Sequence, residues 1–295
     1  DERDVSIPVL VFFTIFFGML VGDAGYGLIF LIVSGLVLAV KRDDKALRLP
    51  MALLMLLSCS AIVWGGLTSN WFGMSLLPGL PALADSPDKD RNVQLVCFSL
   101  ALLQLSFAHV WRLLTGGMMW RNILTNIGWI LILTGNFLLV LELLLFPGAI
   151  PKMGLYVCYG AGIALTAMGE VDWTDVGSVF GFPFSIVGSF VDVLSYIRLF
   201  AVGLAGYYLA ACFNDMARPM FEEPKTFVVG LLILLFGHVL NIALAAMSVL
   251  VHGVRLNTLE FSSHLGLRWA GFMFAPFRRK IEDHSKEIAI TQGEE

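Results

Sequence analysis

Long apolar segments, each able to cross a lipid bilayer, dominate this chain of 295 residues. A helix needs about 20 residues to cross the hydrocarbon core, and several apolar runs reach that length. Only 14% of the residues are charged, against about 25% in a typical soluble domain, and the mean hydropathy is +0.81. A protein this apolar could not keep its surface in water. The sequence therefore predicts an all-α integral membrane protein.

Eight transmembrane helices are predicted from the apolar runs. The first run, 5–40, is too long for one span, and Asp23 lies among glycines near its middle, so we predict two helices with a tight connection. Asp23 either satisfies backbone groups in that turn or lines a polar entry. The predicted spans are about 5–21, 25–40, 50–70, 93–115, 124–146, 153–169, 183–213 and 226–262.

The last two predicted spans are unusually long. At about 1.5 Å per residue they would measure about 46 and 55 Å, against a hydrocarbon core of about 30 Å. Helices of this length must tilt or project beyond the membrane. The fold prediction is therefore eight transmembrane helices, of which the two long C-terminal ones are tilted.

The basic residues predict an orientation. If the first helix enters from the cytoplasm, twelve of the nineteen Lys and Arg residues fall on the cytoplasmic side and five on the opposite side. Cytoplasmic segments carry such an excess, so both termini are predicted to be cytoplasmic. The two remaining basic residues, Arg198 and Arg255, lie inside the last two predicted helices.

Polar side chains accompany both arginines. At about 100° per residue, one face of the last helix carries His238, Asn241, Ser248, His252 and Arg255, with Glu260 near its edge. In the preceding helix, Ser195 adjoins Arg198, whereas Asp192 is about 120° away and need not touch it. A charge at the bilayer centre costs roughly 2.5–3.5 kcal/mol, so such residues face the protein interior or a water-filled cavity. Either the arginines form structural ion pairs with Asp192 and Glu260, or these residues line an ion path.

Two further histidines are predicted to have ordinary surroundings. His109 lies close to Arg112 near the end of a predicted span, and we expect it at the membrane interface. His264 follows the last predicted span, and we expect it in a polar tail.

Four stretches resemble the membrane domain of subunit a, also called subunit I, of V/A-type ATPases. Asp192-Val-Leu-Ser-Tyr-Ile-Arg-Leu-Phe-Ala-Val-Gly-Leu-Ala-Gly206 is similar to the penultimate helix of that family, and His252-Gly-Val-Arg-Leu-Asn-Thr-Leu-Glu260 to its last helix. Phe16-Phe-Gly-Met-Leu-Val-Gly-Asp-Ala-Gly-Tyr-Gly27 resembles its first hairpin, and Phe272-Met-Phe-Ala-Pro-Phe277 its cytoplasmic tail.

Two departures place the resemblance in the bacterial or archaeal branch. Eukaryotic members have a Glu ten residues before the second Arg and a His eight residues after the first; here Ala245 and Gly206 occupy those positions. The chain starts abruptly at Asp1, without Met. The resemblance therefore implies that the large cytoplasmic N-terminal domain of the family is missing.

The resemblance implies an ion-translocating stator in the plasma membrane. A rotor ring of proteolipid subunits would turn against this chain, and peripheral stalk subunits would bind the missing N-terminal domain. Arg198, and with it Arg255, would meet a carboxylate of each ring subunit. His252, His238 and Asn241 would line one half-channel, and Asp192 and Glu260, beside Ser195, would help water and ions reach the arginines. The ion would be H⁺ or Na⁺, and no cofactor is implied.

Several other functions lack their sequence patterns. The sequence has no Gly-x-x-x-x-Gly-Lys-Ser/Thr loop, so the chain is not expected to hydrolyse ATP itself. No Cys/His set has zinc spacing, and no basic aromatic patch predicts nucleic-acid binding. Two alternatives remain: a stand-alone secondary transporter or ion channel with intramembrane arginines, and a structural anchor for a cytoplasmic complex.

Overall fold

The computed structural model describes residues 5–42, 44–84, 86–116, 119–171 and 173–267. The secondary structure of these residues consists of helices, with no β-strand among them. The predicted cytoplasmic ends and the tail motif at 272–277 lie outside these residues. The helices are α1 (Ser6–Val21), α2 (Ala24–Val40), α3 (Lys45–Leu67), α4 (Pro81–Ala84), α5 (Lys89–Thr115), α6 (Trp120–Val140), α7 (Lys152–Gly169), α8 (Val176–Ser195), α9 (Ile197–Ala217), α10 (Phe227–Ser248) and α11 (Ser262–Leu265).

Four helical segments depart from α geometry. A π-helical turn, Leu141–Leu145, extends α6, and a 3₁₀ turn, Arg218–Phe221, extends α9. Two π-helical segments, Val249–Gly253 and Leu256–Phe261, join α10 to α11.

Five of the described helical stretches are long and apolar enough to cross a membrane. They are Lys45–Leu67, Lys89–Thr115, Trp120–Leu145, Val176–Phe221 and Phe227–Leu265. The apolar helices α1 and α2 are shorter, at 16 and 17 residues. The 18-residue α7 occupies the position of the remaining predicted span. The last two stretches contain 46 and 39 residues, so the predicted pair of unusually long C-terminal helices is present.

Helix capping explains where two of the observed starts differ from the predicted ones. An aspartate side chain accepts backbone N–H groups at each start: Asp44 caps α3, and Asp175 caps α8 through Gly177 and Ser178. Such a cap supplies partners for the first amides of a helix, which have none within the helix. α8 therefore begins at Val176 rather than at 183, and Pro183 lies inside it.

The turn between α1 and α2 is built around Asp23. Gly22 has a φ of 63°, in the left-handed region that glycine adopts without strain. Asp23 Oδ1 accepts hydrogen bonds from the amides of Gly25, Tyr26 and Phe72 at 2.8–3.1 Å, and its Oδ2 accepts from Gly73 at 3.1 Å. This turn-stabilising role is the first of the two predicted for Asp23.

The helix α1 occupies the centre of the packing and contacts α3, α9 and α10. Its buried residues Phe16, Met19 and Leu20 belong to the main apolar core, which also includes Phe98 of α5 and Leu199 of α9. A Cβ atom on Gly203 of α9 would lie 2.7 Å from the backbone oxygen of Met19. The backbones of α1 and α9 are therefore in close contact, one turn beyond Leu199 on the same side as the core.

Candidate ion-translocation site

Arg198 and Arg255 contact the same carboxylate oxygen. Glu260 Oε1 lies 3.3 Å from Arg198 Nη2 and 3.7 Å from Arg255 Nε. The Glu260 side chain is 4% exposed, whereas the Arg198 and Arg255 side chains are 25% and 53% exposed. One buried negative charge thus holds two positive charges at the protein surface.

The π-helical segments bring Arg255 and Glu260 together. These residues are five apart, which is the separation that a π-helical hydrogen bond joins. In a regular α-helix they would be about 140° apart, and that register placed Glu260 at the edge of the predicted polar face. The sequence prediction assumed α geometry throughout, so it named Glu260 only as one of two possible partners of the arginines.

A buried chain of hydrogen bonds fixes the start of α9 beside Glu260. α8 ends and α9 begins at Tyr196, which is fully buried. Its hydroxyl donates to Gln104 Oε1 at 2.6 Å, and Gln104 Nε2 donates to Asn257 Oδ1 at 2.9 Å. Because Tyr196 precedes Arg198 by two residues and Asn257 precedes Glu260 by three, this chain positions both partners of the ion pair.

Three buried polar atoms in this region have no hydrogen-bond partner among the described residues: Arg198 Nη1, Glu260 Oε2 and His252 Nδ1. Most buried polar atoms in proteins are paired, because an unpaired one costs about 1–3 kcal/mol. Such a cluster is typical of a site whose polar groups serve a purpose other than packing.

Asp192 contacts a histidine rather than an arginine. Its Oδ2 lies 3.1 Å from His264 Nε2, and His264 Nδ1 lies 3.0 Å from His109 Nε2. His109 and His264 are 1% and 8% exposed, so the expectation of an interfacial His109 and a His264 in a polar tail is wrong. The reading in which both carboxylates pair with the arginines holds for Glu260 only. The hydroxyl of Ser195 donates to the backbone oxygen of Asp192 at 2.7 Å. Arg198 donates to Glu260 instead.

The predicted polar face of the last helix divides into separate groups. His238 contacts the Tyr26 hydroxyl at 2.7 Å and Asn214 Oδ1 at 3.2 Å, and Asn241 donates to the Tyr26 hydroxyl at 3.0 Å. This cluster adjoins the Asp23 turn. His252 lies beyond Ser248, where the π-helical segments begin. No local sequence pattern indicated the role of Tyr26, whose partners His238 and Asn241 come from α10.

Two cavities of about 220 Å³ each flank α9. One reaches from Lys89, Asp90 and Asn70 at the end of the bundle inward to Leu199 and Gly203. Leu199, which lines this cavity, directly follows Arg198 in the sequence. The other lies between α1, α9 and α10. Both Gly206 and Ala245 line it, so the two positions that depart from the eukaryotic pattern face the same space.

No protein-family model matches the chain, but curated proteins do. It is 38% identical to the V-type ATP synthase subunit I of Borreliella burgdorferi over 94% of this chain and 50% of that protein. It is 37% identical to V-type ATP synthase subunit I 1 of Treponema pallidum over 95% of this chain and 48% of that protein. The chain is homologous to subunit I of V-type and A-type ATP synthases.

The homology to subunit I extends to archaea. The A-type ATP synthase subunit I of Pyrococcus abyssi is 26% identical over 95% of this chain and 44% of that protein. The chain spans about half the length of the subunit I proteins it matches. The matched region contains the arginine–glutamate site and the five long apolar helices.

Proposed function

We propose that the chain is the ion-translocating stator part of a rotary V/A-type ATPase or ATP synthase. It would cross the membrane eight times, with its two long C-terminal helical stretches tilted in the bilayer. A turning proteolipid ring would bring one carboxylate after another to Arg198 and Arg255. The chain itself would not bind nucleotide. The homology to subunit I supports this assignment, and the arginine pair is the observation that carries it.

The exposure of the two arginines implies a partner in the membrane. Their surroundings are apolar: Leu259 is 55% exposed and Val254 is 37% exposed. With only Glu260 within ion-pair distance among the described residues, the site carries one excess positive charge. An Arg in contact with lipid costs roughly 2.5–3.5 kcal/mol. A carboxylate on a neighbouring subunit would neutralise that charge, whereas a structural anchor would have no use for it.

The arginine pair would release the ion from each rotor carboxylate. In lipid, desolvation keeps a carboxyl group protonated or ion-bound, and a neighbouring cation favours its charged form. The group would therefore give up its ion where it meets Arg198, and would stay charged while beside the arginine. Arg suits this role because it does not deprotonate in proteins. Its fixed charge also repels cations that would otherwise leak past the rotor.

Two polar routes would bring ions to the arginines from opposite sides of the membrane. On the side assigned as external, the cavity beside Lys89 ends next to Leu199, and His238 and Asn241 form a polar cluster further along the bundle. On the cytoplasmic side, Asp192 is 30% exposed. An ion that enters by one route would reach the other only when the rotor turns. Each charge crossing at 100 mV contributes about 2.3 kcal/mol.

Replacement of Arg198 by Gln tests this proposal. Glu260 would keep Arg255 as a partner, so we expect the complex to assemble while ATP-driven ion transport falls to background. Arg218→Gln is the matched control, because Arg218 is 73% exposed and forms only an exposed ion pair with Asp215 at the end of α9. ATP-driven transport retained in Arg198→Gln would refute the assignment. A stand-alone transporter would instead purify free of any proteolipid and transport without one.

A further inference from the structure

Three titratable side chains from three helices form a hydrogen-bonded chain that leads away from the arginines into the protein. Asp192 of α8, His264 of α11 and His109 of α5 follow one another at 3.1 and 3.0 Å. His109 Nδ1 ends the chain at Asn126 Oδ1 of α6, 3.1 Å away. Asp192 is 30% exposed, but His109 is 1% exposed. This row of hydrogen bonds is therefore accessible from outside the protein at Asp192 and buried at His109.

The closed end fixes the direction of the first hydrogen bond. Asn126 Nδ2 lies 2.8 Å from the backbone oxygen of Asn122 and 2.7 Å from its side-chain oxygen. Both are acceptors, so this atom is the amide nitrogen and the other, Oδ1, accepts from His109. His109 Nδ1 must therefore carry a hydrogen.

The hydrogen bonds from His109 through His264 to Asp192 then require one extra proton. A neutral imidazole has one donor nitrogen and one acceptor nitrogen. Neutral His109 accepts at Nε2, so His264 Nδ1 donates to it, which leaves the Nε2 of a neutral His264 as an acceptor. That nitrogen faces the carboxylate of Asp192, which accepts only. Two acceptors 3.1 Å apart form a hydrogen bond only when a proton lies between them.

Every arrangement that satisfies these hydrogen bonds holds that proton. It can reside on Asp192 as a carboxylic acid or on His264 as an imidazolium. If the bond between the two imidazoles reverses, it resides on His109 as an imidazolium. Each step breaks one O–H or N–H bond and forms the next one along the chain, so one positive charge moves and no other reactant is needed.

We propose that Asp192, His264 and His109 form a proton store beside the ion path. Asp192 takes up one proton from the cytoplasmic side, the two histidines hold it inside the protein, and Asp192 returns it. The number of protons held by these three side chains follows from their hydrogen bonds alone. The exchange with an ion path next to Arg198 rests on the proposed function.

Charged and aromatic groups on the surrounding elements bear on where the proton resides. Arg112 of α5 donates to the backbone oxygen of His264 at 3.3 Å and opposes a positive charge on the imidazoles. Glu260, one turn before His264, favours it. Tyr196, between α8 and α9, is buried near Asp192 and Glu260. On α6, Trp129 stacks on His109 and donates to Glu170 at 2.6 Å.

Solid-state NMR of the whole complex in lipid, with isotope-labelled histidine and aspartate, tests the store by counting its proton. It distinguishes imidazolium from imidazole and carboxylic acid from carboxylate. We expect one such protonated signal near neutral pH, and its loss in Asp192→Asn. The Asn amide would donate to His264 Nε2 and so satisfy the chain without the extra proton. Asp215→Asn is the control, because Asp215 is 73% exposed, and should leave the signal unchanged.

Two results would overturn the proposal: a wild-type complex with neutral imidazoles and an ionised Asp192, or a protonated signal that survives in Asp192→Asn. If that variant does not assemble, His264→Leu decides the question, because Leu has no polar atom to link Asp192 to His109. Loss of the signal in His264→Leu supports the store, and its persistence overturns it. The NMR experiment measures protonation, whereas the Arg198→Gln experiment measures ion transport. Failure of the stator assignment and failure of the proton store are therefore separate outcomes.

Discussion

Glu260 is the residue that holds the two arginines together, and its substitution measures that link. In Glu260→Gln both guanidinium groups lose their carboxylate and face each other as like charges. Breaking a fully buried pair costs about 3–5 kcal/mol, but Arg255 is half exposed and water screens it. We therefore expect a loss on the order of 1–3 kcal/mol in the free energy of unfolding, seen as a lower thermal midpoint of the chain in lipid nanodiscs.

The control for this residue is Glu222→Gln, since Glu222 is exposed in the turn before α10. A thermal midpoint in Glu260→Gln equal to that of the control would mean that the ion pairs contribute nothing to stability. The sequence named Glu260 as a possible partner of the arginines, and it named Asp192 as another. It could not separate the two, because the choice depends on His264, whose burial is decided by packing against α5 and α6 rather than by local sequence.

The π-helical segment Val249–Gly253 predicts that the last helical stretch tolerates a deletion at one place and not at another. Val251 lies in that segment and is 52% exposed. A π-helical turn contains an extra residue compared with an α turn, so removal of Val251 would let the segment close into an α-helix. Arg255 and Glu260 would keep their direction. We expect a thermal midpoint close to that of the wild type.

Deletion of Leu244, a similarly exposed residue in the regular part of α10, is the matched comparison. It would rotate everything that follows by about 100°, which separates Glu260 from Arg198 and Asn257 from Gln104. We expect a larger loss of stability than in Glu260→Gln. Equal destabilisation by the two deletions would contradict this account. Fixed α-helical periodicity could not predict the π-helical segments, and this is why the polar face proposed from sequence is correct through Asn241 but divides after Ser248.

For the whole molecule, apolar run length and the glycines around Asp23 were enough to predict an all-helical protein with a tight first hairpin and two exceptionally long C-terminal helices. Those features depend on local sequence and on the size of a bilayer. The packing of the helices is different. The positions of α5 and α6 beside α8 and α11, which bury His109 and His264, depend on contacts between distant segments such as Trp129 and His264.

The arrangement of the whole bundle also predicts which surface meets the rotor. From sequence alone, Ser195 would be chosen for crosslinking because it lies one turn before Arg198, but it is buried. Ala201 of α9 and Val254, next to Arg255, are exposed near the two arginines. In native membranes, we expect cysteines at these positions to form disulfides with a cysteine on the carboxylate-bearing helix of the proteolipid, and these disulfides to stop transport until they are reduced.

Val157 of α7 provides the control for this crosslinking, because it is 55% exposed and α7 packs mainly on α6. A cysteine there should give no disulfide with the rotor. If Val157 crosslinked as well as Ala201, the rotor would not have a single contact face, and the arginine pair would lose its assigned partner. Crosslinks confined to Ala201 and Val254 would mean that the excess positive charge faces the rotor carboxylate rather than lipid.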